Sequence, residues 1–296
     1  NIKKIEKKIN NISIGRNLIK FINWFSMYNL SPKGMVLKMC LGDVNNLLKP
    51  ESKDYEKIIV RKKNYKLNNE QSSSFKKLNL LKKNFNVSVL QGITGSGKTL
   101  VYFELIKEII KQNKQALILL PEIFLTNQFK NRLSEYFGFE PAVWHSKITP
   151  KNKRIIWQGI INNKIKLVIG ARSSLLLPFK NLGIIIVDEE HDPSYKQDEG
   201  LIYNARDMAI SRASFENIPA ILVTSVPSLE TYNHIKNKKY NITRIKKRFS
   251  NFPLPDTKII NLSLSKLKKN EFIAEETIDL IKQYLEKKEQ VLFFLN

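Results

Sequence analysis

Cysteine is nearly absent from this chain: Cys40 is the single one among 296 residues, beside three histidines and four methionines. One thiol excludes a disulfide framework, and cytoplasmic localisation is expected from that. One cysteine and three scattered histidines (His145, His191, His234) offer no ligand spacing for structural zinc, so no zinc site is expected. No apolar run approaches the ~20 residues that span a bilayer, and no secretory signal pattern opens the chain, so no membrane partner is expected. Acidic residues are scarce too. Against 50 Lys and Arg stand 27 Asp and Glu, giving a net charge of +23. Such an excess points to a polyanionic partner, because each cation placed on a phosphate releases counterions. Yet 41 of the 50 basic residues are lysine, in a chain also rich in Asn and Ile. An AT-rich coding sequence produces the same bias, and net charge says nothing of the fold.

What is present is sharper. Gly92, Ile93, Thr94, Gly95, Ser96, Gly97, Lys98 and Thr99 form a complete G-x-x-x-x-G-K-[ST] phosphate loop between an apolar run (Val87 to Leu90) and a helical pattern. That strand–loop–helix context is what the motif needs to work. Small residues let backbone N–H groups turn inward around the phosphates of ATP or GTP. Lys98 is expected on the β/γ-phosphates, with the Thr99 hydroxyl on Mg²⁺.

The apolar run from Leu182 to Val187 reads as a buried parallel strand, and it ends in Asp188, Glu189, Glu190 and His191. Carboxylates at the C-terminal end of such a strand lie where α/β sheets bind ligands. Asp188 is expected to hold Mg²⁺ and Glu189 to polarise the attacking water. An acidic helix cap would explain the same residues, but less well downstream of a full phosphate loop.

The tetrad Asp188-Glu189-Glu190-His191 resembles motif II of the superfamily 2 helicases, the DEAD/DEAH group. Leu120–Thr126, containing Pro121 and Glu122, looks like motif Ia, and Ile169–Leu175, containing Arg172 and Ser173, looks like motif Ib. His191–Gly200 and Tyr203–Asp207 are similar to the family of primosomal protein N′, the replication-restart DNA helicases, as are Asn23–Gly34, Pro253–Pro255 and Gln290–Asn296. The resemblance implies ATP and Mg²⁺ as cofactors. It also implies DNA as a partner (forks and single-stranded regions), together with other primosome or replication proteins. It implies an adenine contact for Gln71, a DNA phosphate contact for Arg172, and an aromatic coupling loop over 192–206. There Tyr195 and Tyr203 are expected to stack on unpaired bases, flanked by Lys196 and Arg206. Leu201 stands where the family often has an aromatic residue. Thr224-Ser225-Val226-Pro227 stands where it has Ser-Ala-Thr-Pro, and Val226 lacks the hydroxyl that a threonine would supply.

Alternating strand and helix patterns from Leu67 to about Arg248 predict a RecA-like α/β fold, a parallel sheet with helices on both faces. The expected division is 1–45, a remnant of an N-terminal domain that binds DNA 3′ ends; 46–66, a linker with the winged helix absent; 67–250, the ATP-binding motor domain; and 251–296, a hinge and the start of a second motor domain. Glu271–Lys288 reads as an amphipathic helix and Val291–Leu295 as a strand. On this reading the chain is truncated and binds ATP and DNA without unwinding a duplex, because the second motor domain closes the far side of the ATP cleft. The function expected is that of an ATP-dependent DNA helicase. The alternatives are a DNA-binding primosome platform with an uncoupled motor, or a phosphate-loop ATPase unrelated to nucleic acid.

Overall fold

A computed structural model describes residues 13–42, 63, 65–248, 256–263 and 272–294. The strands are β1 (Asn86–Gly92), β2 (Gln115–Leu119), β3 (Ala142–Trp144), β4 (Leu167–Gly170), β5 (Leu182–Asp188), β6 (Lys196–Gln197), β7 (Tyr203–Asn204), β8 (Pro219–Thr224) and β9 (Asn241–Ile245). The helices are α1 (Arg16–Tyr28), α2 (Lys33–Leu41), α3 (Asn69–Leu80), α4 (Lys98–Lys111), α5 (Asn127–Phe137), α6 (Pro150–Ile161), α7 (Ala205–Glu216), α8 (Leu229–Lys236) and α9 (Glu275–Glu286).

Seven strands form one sheet in the order β3-β4-β2-β5-β8-β1-β9, every pairing parallel. Side chains alternate across a strand, so each apolar run feeds both faces. Ile185 and Val187 of β5 face one core with Val89, Leu117 and Leu222; Ile184 and Ile186 face the other with Leu90, Ile118 and Val223. The second core is closed by α4 and α5, through Leu105, Ile106, Leu133 and Tyr136. The first is closed by α6 and α7, through Trp157, Ile160, Met208 and Ala209. The RecA-like architecture is therefore present. The short edge strands β3 and β9 have no counterpart in the apolar runs of the sequence.

Residues 13–42 share the first core rather than standing apart. Leu18, Phe21 and Phe25 of α1 are buried there with Val36 and Cys40 of α2. The Phe21 ring lies 5.9 Å from Phe215 of α7, and the Phe25 ring 5.1 Å from Tyr203. The Trp157 indole N–H donates to the Cys40 carbonyl at 2.8 Å, tying α6 to α2. The described residues up to 248 belong to one compact unit, within which this segment packs against α6 and α7. The expected linker at 46–66 lies almost wholly outside the described residues, as do Pro253 and Pro255.

Residues 251–296 form a second unit, with α9 as its helix. Residues 291–294 take no strand conformation, which corrects the strand expected there. Parallel strands need a partner, and among the described residues of this unit there is none to pair with.

Candidate nucleotide and nucleic-acid site

The phosphate loop leaves the C-terminal end of β1 and the acidic tetrad leaves that of β5, with β8 between them. Two strand spacings place the two segments about 10 Å apart on one edge of the sheet. Gly95 (φ 79°) and Gly97 (φ 80°) take left-handed backbone conformations that L side chains rarely adopt. A Cβ on Gly97 would also come within 2.2 Å of the Gln71 amide nitrogen.

Helices α3, α5, α6, α7 and α8 each carry a side-chain cap on the first turn, from Asn68, Thr126, Thr149, Asn204 and Ser228 respectively. Helix α4, like α1 and α2, has no side-chain cap and no acidic residue in its first turn. Its leading N–H groups and positive dipole end are thus left for an anion. The Ser96 hydroxyl, in the bend of the loop, is buried without a hydrogen-bond partner. An orphaned donor above an uncapped helix fits the phosphates of a nucleotide. The Lys98 ammonium donates to the Gly92 carbonyl at 2.7 Å, across the mouth of the loop.

Gln71 is fully buried and supports the loop from below. Its amide nitrogen donates to the Ser96 carbonyl at 2.9 Å, while its amide oxygen accepts from the Asn68 backbone N–H at 3.0 Å. The second bond completes a capping box at the start of α3. Both ends of the side chain hydrogen-bond to backbone groups, which gives Gln71 a role in supporting the loop.

Asp188 is 8% exposed and accepts from the Tyr102 hydroxyl at 2.8 Å through Oδ2 and from the Glu189 backbone N–H at 3.0 Å through Oδ1. Burial, with the neighbouring Glu189 charge, pushes its carboxyl up to about 6, against the opposing pull of these hydrogen bonds and Lys98. Thr99 lies close to the same tyrosine hydroxyl. Tyr102 therefore stands beside both residues expected on Mg²⁺, and the sequence reading missed it. Its signal was its position three residues after Thr99, on the same face of α4. Thr99, Asp188 and Glu189 line a cavity of about 310 Å³ with Phe124, Gln128 and Arg132. Among the described residues no group of three His, Cys, Asp or Glu could hold a metal. Mg²⁺ needs no such group, since it is commonly held by one or two protein ligands plus phosphates and water. Glu189 itself takes φ 49°, a left-handed turn that carries the chain away from β5.

The rest of the tetrad joins motif II to motif III. His191 Nδ1 lies 2.8 Å from the Thr224 hydroxyl, which donates to the Val226 carbonyl at 2.7 Å. Thr224 thus makes the hydroxyl link that Val226, 69% exposed, does not. Glu190 is buried and accepts from the Ser228 N–H at 2.8 Å, the Thr231 hydroxyl at 2.9 Å and Arg206 Nη1 at 3.4 Å. A buried carboxylate survives only when so satisfied.

The coupling segment departs from expectation at three positions. Tyr195 is 1% exposed, with its hydroxyl donating to the Leu119 carbonyl at 3.0 Å and the Asp188 carbonyl at 2.6 Å. Tyr203 is 4% exposed against Phe25. Neither ring has a face free for a base; both are core residues. Arg206 is also buried and pairs with Glu190 and with Asp207 at 2.8 Å. Lys196 is exposed beside Asp198, and Ile202 is the exposed apolar residue of the β6–β7 hairpin. Arg172 donates to the Lys196 carbonyl at 2.9 Å, so it anchors that hairpin, with Ser173 half-buried beside it. Pro121 is buried ahead of a 3₁₀ turn (Glu122–Phe124) on which Glu122 is exposed.

The DEAD/DEAH box helicase family model matches residues 68–234, more than half of the chain. The replication restart protein PriA of Rickettsia conorii is 41% identical over 296 residues, all of this chain and 45% of that protein. The replication restart protein PriA of Haemophilus influenzae is 40% identical over 230 residues, 78% of this chain and 31% of its own length. The chain thus spans less than half the length of these curated relatives. The crystal structure of the DUF1998 helicase MrfA aligns over 78% of this chain and 36% of its own, at 20% identity and a TM-score of 0.47.

Proposed function

The chain belongs to the DEAD/DEAH box helicase family, and from that premise we propose that it supplies the ATP-binding motor domain of a DNA translocase acting in replication restart. The observation that carries this reading is the Tyr102–Asp188 hydrogen bond facing the phosphate loop, with Thr99, Asp188 and Glu189 lining one cavity. The N–H groups of Gly95 to Thr99 and the Lys98 ammonium would receive the phosphates of ATP. Thr99 and Asp188 would hold Mg²⁺, which when bound neutralises charge on the transferring phosphoryl group. Glu189 would orient the attacking water and take its proton. The links from His191 to Thr224 and from Glu190 to Ser228 and Thr231 would carry a change at the nucleotide to the strands and loops that meet DNA.

Arg172, Ser173, Lys196, Pro121 and Glu122 belong to the proposed DNA side, on the same C-terminal edge of the sheet. DNA with single-stranded regions is the proposed partner, together with other replication proteins, and residues 251–296 are proposed to lead into a second motor domain. The Thr224 contact supports a coupled motor over the platform reading, which the altered motif III at Val226 and the expected absence of the winged helix favour.

Coupling is the property to measure. Single-stranded DNA affinity of the 296-residue chain, taken with and without a non-hydrolysable Mg·ATP analogue, is expected to differ severalfold. Linkage requires the same factor in the nucleotide affinity when DNA is present. Nucleotide binding with no DNA binding would instead make this an ATPase unrelated to nucleic acid. Binding of both with no mutual effect would favour the uncoupled platform.

A further inference from the structure

Away from the phosphate loop, at the β3–β4 end of the sheet, lies a cleft of about 390 Å³. Five strand spacings separate β3 from β1, so the cleft is about 24 Å from the nucleotide site along the same edge. Its floor is Trp144, at the end of β3, and Trp157 of α6, both almost fully buried. Its rim carries three cations, Lys38 from the last turn of α2 and Lys153 and Arg154 from the first turns of α6, with His145 after β3 beside them. Among the described residues that line it there is no carboxylate.

Two features mark the cleft as unfinished. Arg154 Nε is buried and has no hydrogen-bond partner, a donor left waiting inside a positive cleft. Lys153 donates to the Ser146 carbonyl at 3.3 Å, which fixes the loop after β3, and among the described residues no carboxylate pairs with it. An apolar aromatic floor under a ring of cations matches a nucleotide, with sugar and base against the floor and phosphate at the rim. Ser173 borders the cleft, so it continues the surface on which Arg172 and Lys196 lie.

We propose that this cleft takes one nucleotide unit of a DNA single strand, its phosphate received by Lys38, Lys153 and Arg154, so that the N-terminal helix α2 forms one wall of the DNA path. The inference rests on the reading of this edge as the DNA side. It assigns α2 a role in binding that its packing into the motor core makes available, since the Trp157–Cys40 hydrogen bond holds α2 against α6.

The test is fluorescence anisotropy of a labelled oligothymidylate on the 296-residue chain. The variants are Lys38→Ala/Lys153→Ala/Arg154→Ala and, as a control of equal charge on the opposite edge, Lys76→Ala/Lys77→Ala/Lys83→Ala. The cleft variant is expected to bind at least about tenfold more weakly at low salt. Its slope of log affinity against log salt should be shallower by about 0.7, the contribution of the one single-strand phosphate contact that is lost. The control should change little, and Mg·ATP affinity should be unchanged in both. Lys38→Glu alone, at an exposed position, is expected to lose affinity severalfold with no change in melting temperature. Equal losses in the cleft and control variants, or no loss in Lys38→Glu, would overturn the proposal while leaving the DNA reading intact if Arg172→Ala still weakens binding. Absence of DNA binding in the unmodified chain would overturn both. Tryptophan quenching saturated by free dTMP as readily as by the oligonucleotide would assign the cleft to a free nucleotide and refute the strand.

Discussion

Replacing Gln71 with alanine separates a residue that props the phosphate loop from one that reads adenine. The substitution removes the donor to the Ser96 carbonyl and the acceptor for the Asn68 N–H, both in a fully buried setting. Leaving a buried carbonyl unpaired costs about 1–3 kcal/mol. Losing half of a capping box costs about 1 kcal/mol more. The expected loss of about 2–4 kcal/mol lowers the melting temperature by roughly 5–15 °C for a unit of this size. The loop then loses its support from below, so ATP and GTP affinities should fall together. Gln71→Glu keeps the acceptor for Asn68 but sets a carboxylate against the Ser96 carbonyl, and should match the alanine variant in nucleotide affinity while recovering part of the cap. Melting curves and titrations with fluorescent ATP and GTP analogues give both quantities. A tenfold loss for ATP with GTP unchanged, at an unaltered melting temperature, would refute the propping role and restore the adenine contact.

Other expectations follow from the same contacts. Tyr102→Phe removes the hydroxyl that holds the Asp188 carboxylate beside Thr99, so Mg²⁺-dependent ATP affinity should fall about tenfold while Mg²⁺-free binding holds; equal loss in both conditions would count against a role at the metal. Tyr195→Phe keeps the ring and removes two buried hydrogen bonds, so it should destabilise by about 1–3 kcal/mol with DNA affinity unchanged in anisotropy titrations. Glu189→Gln should bind ATP normally and hydrolyse it at least about 10²-fold more slowly in single turnover, since the amide cannot accept a proton; turnover within a few-fold would mean another base.

The parts of the fold legible in the sequence are those where physics leaves a continuous signal. Leu182 to Val187 is apolar throughout because helices cover both faces of β5, and the phosphate loop shows its glycines because Gly95 and Gly97 need positive φ. Ala142–Trp144 and Asn241–Ile245 were invisible for the opposite reason: they are short edge strands, and β9 mixes exposed with buried residues. Tyr195 and Tyr203 misled because an aromatic residue in a basic loop looks the same whether its ring meets a base or the core. The buried hydroxyl contacts of Tyr195 decide it, and these join segments 76 and 7 residues away. The role of Glu190 was hidden likewise, its partners Ser228 and Thr231 lying 38 and 41 residues along the chain.

The central claim is that the loop at Gly92–Thr99 and the carboxylates after β5 form one Mg·ATP site. Isothermal titration of Mg·ATP into the 296-residue chain and its Lys98→Ala variant tests it most directly. The account predicts one site per chain whose affinity drops at least about tenfold on losing Lys98, with single-stranded DNA affinity measured alongside staying within about twofold. Unchanged Mg·ATP affinity in Lys98→Ala, or a parallel collapse of DNA binding in a variant that remains folded, would contradict it.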